Sequence, residues 1–296
     1  MITKTAMITI CGRPNVGKST LTNALVGEKI AIVTNKPQTT RNRISAVLNR
    51  GGTQFVLMDT PGFHKPRTRL GDYMVKVVRE SVADVDAVVL VVEPIASIGP
   101  QEEALIERIK QSGVPSVLVI NKIDTVEKDA LLAVISTYAQ AHQFEAIIPI
   151  SAKTGDGLEA LLDELEQFAE PGPQLFPDDM ISDMPEKQIC AELVREKLLL
   201  CLDKEIPHGT AVAVTKFSER DNGIIDMDVT IYCEKDSHKG IIIGKHGAML
   251  KKIGAMARED IEAFMGTKVF LQTWVKVKEN WRDSNALLRN FGFTEE

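Results

Sequence analysis

The residues with the most chemistry to offer stand together in Gly12-Arg13-Pro14-Asn15-Val16-Gly17-Lys18-Ser19. This run matches G-x-x-x-x-G-K-[ST], whose glycines let the chain curl until successive N–H groups point into one anion-holding concavity. Lys18 is then placed to reach the β- and γ-phosphates of a nucleotide, and the Ser19 hydroxyl to ligate Mg²⁺. Thr20 continues the loop into the following segment. A second cluster, Asp59-Thr60-Pro61-Gly62, supplies a carboxylate for the same metal and a backbone N–H for the γ-phosphate. The third is Asn121-Lys122-Ile123-Asp124. The Asp124 carboxylate can accept from N1–H and the 2-amino group of guanine, whereas adenine would leave it unpaired. Asn121 would tie this loop to the phosphate loop, and the Lys122 stem would cover the base. In Ser151-Ala152-Lys153 the Ala152 N–H can meet guanine O6.

Each cluster needs an element to hold it, and the pattern supplies one. Alternating Ala6–Ile10 leads into the phosphate loop, and Thr20–Val26 follows as a helix. Thr53–Met58 reads as a strand ending in Asp59, Val114–Ile120 as a strand ending in Asn121, and Ala146–Ile150 as a strand ending in Ser151. Ala87–Val92 is a short all-apolar run of the kind buried in a parallel sheet, and Gln101–Gln111 an amphipathic helix. Motifs at successive strand ends are what an open α/β sheet needs, because ligands bind outside its carboxyl edge. Between the first two clusters lies a polar stretch, Asn35–Arg41, whose paired threonines offer a hydroxyl that closes on Mg²⁺ and the γ-phosphate. Thr40 is the expected ligand, with Thr39 the fallback. Lys18, Thr40 and Gly62 are the expected catalytic residues. Phe63 follows Gly62 where Ras-like enzymes carry a water-orienting Gln, so either another group positions the water or intrinsic hydrolysis is slow and awaits a partner.

The 296 residues suffice for two domains, and no apolar run approaches the ~18 residues of a membrane span. Cys11, Cys190, Cys201 and Cys233 are scattered without metal-site spacing, and no signal-peptide core opens the chain, so reduced thiols in a cytoplasm are expected. Prolines 171, 173, 177 and 185 break every periodic pattern. They predict a GTPase-type first domain over 1–170, a linker over 171–185 long enough to let the domains reorient, and a second domain over 186–296.

The second domain reads as α-β-β-α-α-β, with Ile241-Ile242-Ile243-Gly244-Lys245-His246-Gly247 between its central helices. That order around GxxG fits a KH module of type II topology, whose loop clamps about four single-stranded nucleotides. Gly244 and Gly247 would bring the backbone close to phosphates, Lys245 and His246 would add donors, and the three isoleucines would form an apolar floor for bases. Although the whole chain carries a net charge of −6, residues 235–282 hold 10 Lys/Arg against 5 Asp/Glu. A basic window suits a polyanion. Lys276 and Lys278 extend it along a closing strand, where Trp274 is expected in the core and Trp281 either buried or stacked on RNA.

GRPNVGKS, QTTR, DTPGFH, NKID and SA, followed by IIIGKHG and WVKVKENWR, resemble the Era-like family of bacterial GTPases over the whole chain. The resemblance implies an α/β phosphate-loop GTPase domain joined to a smaller α+β KH domain. It implies slow GTP hydrolysis with Mg²⁺ and binding of the 3′ region of 16S rRNA during maturation of the 30S subunit, with GTP favouring the RNA-bound state. It also implies that Asn15 is a candidate ligand for a potassium ion and that the protein associates peripherally with the inner membrane; a monomer is the default expectation. A rival expectation is a signalling switch whose second domain binds a protein or the membrane surface.

Overall fold

The computed structural model describes residues 2–62, 68–81 and 85–293. These form two compact units, one drawn from most of the chain up to Asp183 and one from Met184 onward, to which Ile32–Thr39 and residues 68–73 also belong.

The first unit is built on β1 (Lys4–Cys11), α1 (Lys18–Val26), β2 (Ile44–Arg50), β3 (Thr53–Asp59), α2 (Arg69–Glu80, which starts among residues of the other unit), β4 (Ala87–Val92), α3 (Pro100–Ser112), β5 (Ser116–Ile120), α4 (Lys128–Ala141), β6 (Ala146–Pro149), α5 (Leu158–Leu165) and the short β7 (Glu170–Pro171). The strands lie in the order β2-β3-β1-β4-β5-β6, parallel from β3 to β6, with β2 antiparallel at the edge. β4 and β5 are buried on both faces, which is why they read as unbroken Val/Leu/Ile runs. α3 shows the ordinary helix grammar: Pro100 in its first turn, Glu102 and Glu103 there beside the positive dipole end, and Gly113 at φ 68° closing it. This order carries Gly12, Asp59, Asn121 and Ser151 to one edge of the sheet, at the carboxyl ends of parallel strands.

Residues 171–183, expected from their prolines to be a linker, are bonded along the antiparallel side of this sheet. β7 pairs with the start of β1. The buried Gln54 amide accepts from the N–H groups of Leu175 at 2.8 Å and Phe176 at 2.9 Å, and the N–H of Val47 donates to Ile181 O at 2.9 Å.

The second unit continues with α6 (Glu186–Cys201), β8 (Ala211–Glu219), β9 (Ile225–Cys233), α7 (Asp236–Ile243), α8 (Ala248–Met265), β10 (Val269–Val277) and α9 (Asn285–Asn290). Its sheet runs β10-β9-β8, with β9 and β10 parallel. The expected α-β-β-α-α-β order is present. Leu193, Leu198, Ile253, Ala257 and Ile261 pack with Met227, Val229 and Ile231 in the core, which Ile32 also joins. The strict alternation of β10 turns Val269, Leu271, Thr273, Val275 and Val277 inward and leaves Phe270, Gln272, Trp274 and Lys276 exposed.

That register corrects one expectation. Trp274 is 55% exposed, whereas Trp281 is fully buried, donating from Nε1–H to Gly209 O at 2.9 Å and meeting Phe291 edge-on at 5.4 Å. Both rings follow apolar-looking patterns, but the pleat assigns faces by parity, and Trp274 falls on the even, outward set.

Candidate nucleotide site and GxxG turn

The loop after β1 is shaped by contacts that exclude side chains. At Gly12 a Cβ would lie 2.5 Å from the Val91 carbonyl oxygen, and at Gly17, with φ 99°, it would lie 2.3 Å from the Asn121 amide nitrogen. The loop is thus pressed between β4 and the base-side motif. Val16 is buried beneath it, and Asn15, at its crest, adopts φ 67°. Lys18 is folded back into the loop, its Nζ donating to the carbonyls of Gly12 (3.2 Å) and Arg13 (3.1 Å). Burial pulls its pKa below the usual lysine range, with Asp59 and Cys11 opposing that shift. A buried cation holding only neutral carbonyls is primed to exchange them for phosphate oxygens.

Beside it, three oxygens from three elements converge. Ser19 Oγ donates to Asp59 Oδ2 at 2.6 Å and lies 2.9 Å from Thr40 Oγ1. Asp59 is fully buried, and among the described residues its Oδ1 has no hydrogen-bond partner. Two hydroxyls and a carboxylate with an unsatisfied oxygen fit a hard divalent cation such as Mg²⁺. Thr39 turns elsewhere, its Oγ1 bonded to Lys36 O and Thr34 Oγ1, both at 2.7 Å. Burial pushes the Asp59 carboxyl up from 3.8 to about 6, against the pull of Lys18, Ser19 and the Thr60 N–H. Below about pH 6 a cation must displace that proton. The metal-dependent part of nucleotide affinity is therefore expected to hold steady above about pH 6 and to weaken several-fold per pH unit below it. Titration calorimetry with and without Mg²⁺ from pH 5 to 8 reads this; a flat profile would remove Asp59 from the metal site.

Thr60 is buried with its hydroxyl on Ile10 O at 2.9 Å, Pro61 is buried, and Gly62 packs so closely on the phosphate loop that a Cβ would meet Pro14 Cα at 2.9 Å. Phe63 lies outside the described residues.

At the base end, Asn121 joins three motifs. Its Nδ2 donates to Val16 O at 2.9 Å, and its Oδ1 accepts from the Ala152 N–H at 3.0 Å. That N–H is the donor expected to meet guanine O6, and here it is bonded to Asn121. Asp124 is oriented by Ser151, whose hydroxyl donates to Oδ1 at 2.7 Å. Lys122, at φ 66°, reaches Asn15 O at 2.6 Å, while Lys153 is exposed and Thr20 half-buried.

One participant escaped the sequence reading. Glu93 pairs with Lys122 at 2.6 Å and with Arg13, which also reaches Glu102 at 2.8 Å. It thereby links the phosphate loop, through Arg13, to the base-side loop, through Lys122. The available signal was its position directly after the apolar run of β4, at the carboxyl edge where ligands bind.

In the second unit, the turn between α7 and α8 takes positive φ at Gly244 (72°), His246 (52°) and Gly247 (80°). A Cβ at Gly244 would meet Met249 Cβ at 2.7 Å, so the turn is tight against α8. Lys245, His246, Lys276 and Lys278 are exposed. The isoleucine floor is smaller than expected. Ile241 is half exposed and Ile243 partly so, but Ile242 is fully buried in the core, since a helix cannot present three successive residues to one side.

Family models match the two units separately: residues 7–122 match a 50S ribosome-binding GTPase model, and residues 205–282 a KH domain model. The chain is 51% identical over 290 residues to the GTPase Era of Ruminiclostridium cellulolyticum, covering 98% of this chain and 97% of that one. It is 49% identical over 295 residues to the GTPase Era of Clostridioides difficile, covering 99% of each. A variant of Aquifex aeolicus Era bound to GDP·AlF4⁻ superimposes with a TM-score of 0.94 at 35% identity, over 99% of this chain and all of that one. Era in complex with MgGDPNP and nucleotides 1506–1542 of 16S ribosomal RNA superimposes equally well, at 34% identity and the same coverage.

Proposed function

This chain belongs to the family of the GTPase Era, and from that premise we propose that it is a GTP-driven switch that binds the 3′ end of 16S rRNA through its GxxG turn during maturation of the 30S subunit. One observation carries the switch. Thr39 and Thr40 are consecutive, yet the Thr39 carbonyl is held by the Arg195 guanidinium of α6, while the Thr40 hydroxyl lies 2.9 Å from Ser19 Oγ. Whatever holds or releases Thr40 therefore pulls on a segment that belongs to the RNA-binding unit.

In the GTP-bound protein, Lys18 gives up the Gly12 and Arg13 carbonyls for phosphate oxygens, and the loop N–H groups hold the charge that develops on the leaving phosphate. Mg²⁺, when bound, neutralises charge between the β- and γ-phosphates, with Ser19 and Thr40 as its direct ligands and Asp59 behind them. Gly62 presents its N–H to the γ-phosphate. Asn121 fixes the base loop, and Asp124 reads the guanine edge. Asn15 stands exposed at the loop crest, where its amide oxygen suits a potassium ion. Phe63, being apolar, leaves the attacking water to be oriented by another group, which keeps intrinsic turnover slow. Gly244 and Gly247 bring phosphates up to the turn, where Lys245 and His246 add donors.

Binding of a labelled 16S rRNA 3′-tail oligonucleotide, measured with GTP analogue, with GDP and without nucleotide, tests this reading. The GTP analogue is expected to give the tightest complex. Lys245→Asp with His246→Asp is expected to weaken RNA binding at least tenfold, because a cation and an imidazole donor beside a phosphate become two anions. Equal binding by the double variant would remove the turn from the RNA site. No RNA binding in any nucleotide state would favour a protein or membrane partner.

A further inference from the structure

We propose that the outer face of the β10-β9-β8 sheet, centred on Trp274, is a second platform on which single-stranded RNA leaving the GxxG turn stacks its bases. The inference rests on the RNA-binding reading above and extends it to a different surface.

Trp274 is 55% exposed although an indole in water forgoes much of its burial energy. Beside it in the register, Thr230 on β9 is buried and Ala213 beyond that on β8 half-buried, so the accessible part of this end of the face is the Trp274 ring itself. The other exposed ring on this face, Phe270, already has a cation beside it, since the Arg220 guanidinium lies 5.2 Å from its centre and is bonded to Asp226. Charge along the face is graded in the same sense. The two carboxylates, Asp226 and Asp228, sit at the Phe270 end, where Asp226 is paired with Arg220 and, at 3.8 Å, Lys216. At the Trp274 end the strand continues into exposed Lys276 and Lys278, the first of them about 7 Å farther along. An open aromatic face followed by cations is the combination that holds single strands without base specificity, whereas a duplex hides the base faces. Gln272 and the lysines along the strand make a surface too polar for the core of a protein interface.

Position completes the case. β10 is an edge strand, and on its inner face Thr273 packs under α8, 3.8 Å from where a Cβ on Gly254 would be. The helix pair that carries the GxxG turn and the Trp274 platform thus occupy the two faces of one edge strand. A polynucleotide leaving the turn has to round a single strand, about 5 Å wide, to reach the indole.

The protein contains its own reporter, because Trp281 is buried and Trp274 is the one tryptophan a base can touch. Single strands of about four nucleotides, the span of the turn, and of roughly twelve, long enough to pass the edge, would be titrated into the full-length protein. Anisotropy of a label on the RNA reads binding, and tryptophan emission reads stacking. The longer strand is expected to quench emission and the shorter to bind without quenching; a duplex of the longer sequence should not quench. Trp274→Ala is expected to weaken the longer strand about tenfold and the shorter less than twofold, while Trp274→Phe restores most of the affinity without the signal. If the longer strand binds without quenching and with equal affinity to Trp274→Ala, the platform is refuted and the GxxG reading stands. If neither strand binds, both fall.

Discussion

Replacing Asp124 with Asn turns the site away from GTP and toward xanthosine triphosphate. Ser151 holds Oδ1 of this carboxylate at 2.7 Å, so the side chain keeps its orientation when the oxygen that faces the base is exchanged for an amide nitrogen. Guanine presents two donors, N1–H and the 2-amino group, and a carboxylate accepts both. The amide offers a donor against a donor, and the mismatch leaves polar groups unpaired on both sides. Such losses reach roughly 10⁴-fold in sites built on hydrogen-bonded recognition. Xanthine carries a carbonyl where guanine carries the amino group, and so recovers the bond. Equilibrium binding of the two triphosphates to wild type and variant gives the answer directly. An unchanged GTP affinity would take Asp124 out of the base site.

Lys18→Ala is expected to reduce GTP turnover by about 10³-fold, the scale on which one aligned group stabilises developing charge. The informative part is what happens to stability. Lys18 is buried and, among the described residues, its hydrogen bonds are to two backbone carbonyls, so without nucleotide it is a desolvated charge held for a ligand. Its removal should move the melting temperature of the free protein little. The rise in melting temperature produced by GTP and Mg²⁺ should vanish, since that rise is binding energy, about 2.7 kcal/mol at a hundredfold excess over Kd. Thermal melts of both proteins with and without nucleotide separate the cases. A variant that still melts several degrees higher with GTP would show that the phosphates are held elsewhere.

What could be read in the sequence, and what could not, divides along a physical line. Gly12, Gly17 and Gly62 were legible because no other residue tolerates their contacts with Val91, Asn121 and Pro14, and Asp59 and Asn121 because a parallel sheet must put its ligands at strand ends. The α-β-β-α-α-β order was legible from alternation and helical spacing alone. Illegible were features that depend on which face or partner a residue meets. Trp274 and Ile242 exchanged expected places because parity in a strand and angle in a helix decide exposure, and neither is visible in an apolar run. Arg195, Glu196 and Glu93 carry no motif, and their roles exist only through segments distant in sequence. The proline-rich stretch after Glu170 looked loose because its partners, Gln54 and Val47, lie more than a hundred residues earlier.

The contribution of Ile32–Thr39 to the second unit has a consequence for how the chain is made. Val33 donates its N–H to Glu196, 163 residues later, and Ile32 fills part of the same core. A ribosome extending the chain at ~5–20 residues per second needs about 10–30 s to cover that distance. Through that interval the strands that carry Asp59, Asn121 and Ser151 emerge in turn, while the segment leading into Thr40 has no helix to hold it. Expressed alone, residues 184–296 would bury the Arg195 guanidinium without the Thr39 carbonyl and leave a void where Ile32 belongs. The gene can be cut near Met184, but the folded unit cannot: its last stone is laid by a piece of chain synthesised before most of the rest.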